Sequence, residues 1–83
     1  MIERSLVVIE RHPHSLRGAS LLDTDALTGL MAIPGVLDPR VEEFMGERVR
    51  CSYLWSGLEP FDRTDEHLYL YGLRRVWEAS DEG

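Results

Sequence analysis

The sequence predicts a small two-layer α+β domain, with a three-stranded, mainly antiparallel sheet and two short helices in the order β-α-α-β-β. Three observations predict it. Leu6-Val7-Val8-Ile9 and Arg48–Trp55 have the composition and alternation of strands. Leu27, Leu30 and Met31, and then Val41, Phe44 and Met45, recur at helical spacing. The chain has 83 residues, enough for one domain spanning 1–83. A domain of that size buries only about 60–65% of the surface its unfolded chain exposes. A core that thin needs well-packed aromatics or a partner subunit.

Each element has its own local signals. Residues 3–11 are β-branched and apolar in the middle and charged at both ends, and four consecutive apolar residues imply burial on both faces. Pro13 ends this strand, because proline cannot donate to a ladder. Residues 14–20, with Gly18, read as a loop. Asp23 or Thr24 is the expected N-cap of the first helix, with Asp25 in its first turn. Gly29 weakens that helix by about 1 kcal/mol relative to alanine, and Ile33-Pro34-Gly35 stops it. A second helix is expected over 38–46, with Asp38 as N-cap, Pro39 at the first position and Gly46 as C-terminal cap. From Arg48 to Trp55 the pattern alternates, placing Val49, Cys51, Tyr53 and Trp55 on one face and Arg48, Arg50 and Ser52 on the other. Glu59 to Glu66 reads as a polar connection. A third strand is expected from His67 to Tyr71; beyond Gly72, Leu73, Val76 and Trp77 fit either a helical stripe or a strand that continues past a bulge at the glycine, and continuation of the strand is favoured. The strands at 48–55 and 67–71 would then form an aromatic-rich hairpin, and its exposed edge invites a second copy of the chain, so a homodimer is expected.

Composition narrows the function. Hydrophobic residues are 43% and charged residues 29% of the chain, which is ordinary for a folded domain and argues against disorder. The formal net charge is −6, spread evenly along the chain. An acidic surface disfavours direct nucleic-acid binding, which needs a positive patch to release counterions. No stretch approaches the roughly 18 apolar residues that cross a bilayer, so no membrane partner is expected. The N-terminus lacks the pattern of a secretory signal, and the one cysteine, Cys51, precludes an intrachain disulfide. Cytoplasmic localisation is the expectation from these features. Lys, Asn and Gln are absent altogether. Because Lys and Asn use A-rich codons, this points to a GC-rich bacterial or phage genome.

Two constellations could carry function. His12 and His14 are spaced i, i+2 at the end of the first strand, and His67 could join them as ligands of a metal ion. The bland reading is a solvated loop and a strand-edge histidine. Trp55, Tyr69, Tyr71 and Trp77, with Arg74 and Arg75 nearby, form the second set. They either fill the core or present an aromatic and arginine platform to a protein partner, because Tyr, Trp and Arg dominate interface hot spots. Cys51 lies mid-strand on an apolar face, where a small buried hydrophobe is expected rather than a nucleophile. Asp23/Asp25, Glu42/Glu43 and Asp65/Glu66 have ordinary duties as helix caps or exposed faces, leaving no catalytic set. The reading that follows is a non-enzymatic protein-binding module, an acidic inhibitor or adaptor with no cofactor. The alternative is a small dimeric enzyme or metal-binding domain that uses the histidines.

Overall fold

The computed structural model describes residues 3–16, 21–58, 61 and 65–76. The elements are β1 (Ser5–Arg11), α1 (Leu22–Met31), β2 (Val36–Met45), β3 (Arg48–Trp55), α2 (Asp65–Leu70) and β4 (Leu73–Val76). The four strands form one sheet in the order β2-β3-β1-β4, and every neighbouring pair is antiparallel. Thus β1 and β2 run parallel with β3 between them, and β3 and β4 run parallel with β1 between them. This is the ferredoxin-like connectivity of two interleaved, split βαβ units.

Alternation along the strands sorts the side chains onto two faces. Val7 and Ile9 of β1, Val49, Cys51 and Tyr53 of β3, and Leu73 of β4 are buried against Ala26 and Leu30 of α1, Ile33, and Leu68 of α2. Each fully buried aliphatic side chain contributes about 1.5–3 kcal/mol. Val8 is buried as well, on the opposite face, while Leu6 on that face is 66% exposed, so only the centre of the apolar run is sheltered on the side that no helix covers. Gly29 lies where α1 approaches its neighbours. A Cβ built there would stand 3.2 Å from Leu73 Cδ1 and 3.4 Å from Leu68 Cδ2, so the glycine that weakens the helix in isolation admits α2 and β4 to its flank.

The expected three-stranded sheet in the order β-α-α-β-β is incorrect, and two segments account for the difference. Residues 36–45 form an edge strand instead of the helix expected over 38–46. Its pairing with β3 slips by one residue between Leu37 and Arg40 and again between Val41 and Glu43. Each slip is a β-bulge. The two bulges put Val36, Val41 and Phe44 opposite Trp55, Cys51 and Val49, on a single face. Because each bulge reverses the alternation, their spacing is five and three residues rather than even. Val41, Phe44 and Met45 therefore imitate a helical stripe. Asp38, expected to cap a helix, has φ 47°, and Pro39 lies within the first irregularity of an edge strand, where a missing N–H is tolerated. Gly46, with φ 72°, takes the first central position of the two-residue turn between Met45 and Arg48, which favours glycine.

The second difference lies at 65–70. Asp65 and Glu66 open α2, a helix of six residues, where a strand was expected from His67 to Tyr71. Short apolar runs such as Leu68-Tyr69-Leu70 carry no periodicity that separates helix from strand. The helix closes with the Tyr71 and Gly72 amides donating to the carbonyls of Leu68 and Tyr69. β4 follows directly, so extended structure at 73–76 agrees with expectation. The neighbours of β3 are β2 and β1, and the hairpin expected with 67–71 does not form. The N-terminus of α1 also differs: Leu21 occupies the N-cap position without a side-chain bond, while Asp23 accepts the Thr24 amide at 2.9 Å.

Gly29→Val adds three carbons, Cβ and two methyl groups, to a contact already closed. The expected cost is about 1–3 kcal/mol, read as a lower urea midpoint at unchanged slope. An unchanged midpoint would contradict the close packing of α1 on Leu68 and Leu73.

Candidate functional site

Three connections gather at one end of the sheet: the segment after β1, the β2–β3 turn at Gly46 and the α2–β4 junction at Gly72. The backbone fixes the segment after β1 at two points. The His12 amide donates to the Gly72 carbonyl at 2.8 Å, and the Ser15 amide closes a turn onto the His12 carbonyl at 2.9 Å. Within that turn the His14 amide donates to His12 Nδ1 at 3.1 Å. The His12 and His14 ring centres are 5.5 Å apart, and the Tyr69 ring stands edge-on to His12 at 5.0 Å.

Two adjoining concavities flank this turn and share His12 and Ser15. The smaller, of about 270 Å³, lies among His12, His14, Leu16, Tyr69 and Leu70. The larger, an open cleft of about 730 Å³, runs past Arg11, Leu21, Asp23, Phe44, Glu47 and Arg74. Leu16, Leu21, Phe44, Tyr69 and Leu70 are each between 57% and 99% exposed. Five large apolar side chains left in water around one turn make a patch of the kind that marks an interaction surface.

Charged groups border the cleft in ion pairs. Arg11 Nη1 lies 2.8 Å from Asp25 Oδ2, with both side chains largely covered. On the sheet face opposite the helices, Glu10 accepts from Arg74 Nε at 2.6 Å and from Arg48 Nε at 3.2 Å. Partial burial works against the Glu10 carboxylate, but the hydrogen bonds and charges of Arg74 and Arg48 outweigh it and hold its pKa below the ordinary 4.5. The same face carries Arg50 bonded to Glu43 at 3.3 Å, and Asp38 held by Arg40 at 2.8 Å and Arg4 at 3.0 Å. Hydrogen bonds from Arg40 and Arg4 lower the Asp38 pKa. Buried Ser52 donates to Glu42 and accepts from Arg4 Nε at 3.0 Å.

The residues singled out in the sequence divide among several places. His12, His14, Tyr69 and Arg74 meet at the loop end. His67 lies in α2, and no group of three His, Cys, Asp or Glu side chains among the described residues is placed to hold a metal ion. Tyr71 is half-buried against the core. Trp55 and Arg75 belong to a separate cluster around Phe61. In that cluster Trp55 meets Phe61 edge-on at 5.4 Å, Tyr53 stacks on it at 4.5 Å, and the Arg75 guanidinium lies 5.6 Å from the ring centre. Trp77 falls outside the described residues. Leu16, Leu21, Phe44 and Leu70 were not anticipated. For the first two a signal existed, since both are large apolar residues flanking a stretch without periodicity.

Cys51 is fully buried among core residues. Burial, reinforced by the nearby Glu42 charge, pushes its thiol up to about 11. No helix among the described residues is long and apolar enough to cross a membrane. Comparison with protein-family models, with curated proteins and with solved structures gives no match.

Two predictions follow from these groups. Glu10→Gln is expected to lower stability at pH 7 by about 1 kcal/mol, because both arginines stay half-exposed. That difference should shrink on acidification, since a lowered carboxylate pKa stabilises the fold above the unfolded value and loses its contribution as pH falls through the folded one. Equal stability of both proteins at pH 7 in urea titrations would contradict the ion-pair account. Cys51 should resist a thiol reagent at pH 8 until the chain unfolds. Stability should also decline between about pH 9 and 11, where the unfolded thiol ionises and the folded one does not. Rapid labelling of the folded protein at pH 8 would contradict its burial.

Proposed function

We propose that this chain is a non-enzymatic protein-binding module whose partner docks on the loop end around His12. The observation that carries the reading is the exposure of Leu16, Leu21, Phe44, Tyr69 and Leu70 around two adjoining concavities. A partner that covers them removes several large apolar side chains from water at once, the main driving force of association. Tyr69 supplies an aromatic anchor of the type found at hot spots. The turn that presents these groups is fastened to Gly72, so little ordering cost falls on binding. A net charge of −6 suits an inhibitor or adaptor acting on a basic protein surface, because opposite charge accelerates encounter and suppresses wrong partners.

A photo-crosslinking residue at Leu16 should capture a protein partner from a lysate of the source cell. The same residue at Leu37, a partly exposed β2 position far from the cleft, should not. Leu70→Asp, introduced into the chain that carries the crosslinker at position 16, replaces an exposed side chain, so it should change stability by no more than about 0.5 kcal/mol and reduce capture at least tenfold. Equal capture from positions 16 and 37, or full capture by a folded Leu70→Asp protein, would overturn the proposal.

A further inference from the structure

We infer that His12 and His14 form half of a four-coordinate site for a zinc-class divalent cation, completed by the same two residues of a second copy of the chain. The inference stands on the geometry of the histidines and does not rest on the partner-binding reading; a second copy and the protein partner would compete for Leu16, Tyr69 and Leu70.

The two rings stand at the distance a shared cation sets. With a cation about 2.0–2.1 Å from each ligating nitrogen and the ring centre about 1.2 Å beyond it, tetrahedral coordination separates two ring centres by about 5.3 Å. The observed separation is 5.5 Å. The turn from His12 to Ser15, closed by the Ser15 amide and anchored through the His12 amide, holds both residues at that spacing. Proline between them fixes one backbone angle of the turn. His14 is exposed, so its ring can rotate to aim a nitrogen at a shared cation.

The ligating atoms select the ion. Imidazole nitrogens suit zinc, nickel and copper, whereas calcium and magnesium require oxygen ligands. The residues lining the smaller concavity include no carboxylate. In the cation-free protein His12 Nδ1 accepts the His14 amide, which places the neutral ring's own proton on Nε2. Coordination at Nδ1 takes that lone pair from the amide by rotation of the His12 ring about Cβ–Cγ, which leaves the backbone turn, and with it the spacing of the ring centres, in place.

Ligand number calls for a second copy. Structural zinc takes four protein ligands, and no third His, Cys, Asp or Glu among the described residues converges on this pair. A two-fold axis through the cation brings the same two histidines from the partner, because an isologous contact repeats each residue across the axis. Leu16, Tyr69 and Leu70 border the same concavity and would be buried against their counterparts.

The test is sedimentation velocity of the full chain with half-equimolar zinc and with a chelator, paired with visible absorption of the cobalt-loaded protein. Expected are a zinc-dependent dimer with one cation per two chains and the intense bands of tetrahedral cobalt. Both should be lost in His12→Ala and His14→Ala proteins whose circular dichroism matches the wild type. A chain that ignores zinc, or a His12→Ala/His14→Ala double variant that dimerises with zinc as the wild type does, would overturn the inference. Should zinc have no effect while Leu70→Asp still abolishes partner capture, the metal site falls and the protein-binding surface stands.

Discussion

Ile9 is the side chain on which the sheet is assembled. It is fully buried, and its strand pairs on one side with β3, opposite Val49, and on the other with β4, opposite Arg75. Neither of those neighbours is adjacent to β1 along the chain. β1 therefore gains its ladders only after both crossovers are made, and each helix must lie over the same face for the slots to be filled. Ala26 and Leu30 of α1 and Leu68 of α2 meet that requirement by closing over Val7, Ile9 and Leu73. Such long-range pairing carries loop-closure entropy before any contact offsets it. That is why the most apolar run in the chain occupies the central strand.

On the other face the strands are joined by charge. Glu10 of β1 bonds to Arg48 of β3 and Arg74 of β4, and Arg50 of β3 bonds to Glu43 of β2. All four strands are thus linked by polar cross-strand pairs, each worth about 0.2–1 kcal/mol. This arrangement leaves the uncovered face well solvated in a protein with one hydrophobic layer. The large exposed apolar groups of the loop end are thereby set apart, because the sheet face beside them is laced with ion pairs. Edge strand β2 carries Pro39 and two irregularities, devices that discourage pairing with another chain. Association through the loop end is consistent with that bias.

Elements whose periodicity was intact were legible in the sequence. Residues 48–55 alternate without interruption and form β3 with the expected face, and the apolar run of β1 lies at the centre of the sheet. Legibility failed where local geometry breaks the period. In β2 two extra residues convert alternation into the spacing of a helix, so Asp38, Pro39 and Gly46 acquired meanings as caps that they lack. In α2, six residues are too few for periodicity to separate helix from strand. The error at α2 carried into the site, since Tyr69 and Tyr71 were placed on a sheet with Trp55. Helical turning instead sends Tyr69 to His12 and Tyr71 toward the core. His12 and His14 were recognisable as a pair from their spacing alone. Their nearness to Leu70, and that of His12 to Phe44, depends on the topology, which no local pattern contains.

The central claim is that β1 lies between β3 and β4 while residues 36–45 pair with β3. Interstrand nuclear Overhauser effects in a uniformly labelled sample test it most directly. The account predicts contacts from Ile9 to both Val49 and Arg75, and from Val41 to Cys51, with extended carbon shifts across 36–45. Helical shifts and i, i+3 contacts over 38–46, with Ile9 touching only one neighbouring strand, would contradict it.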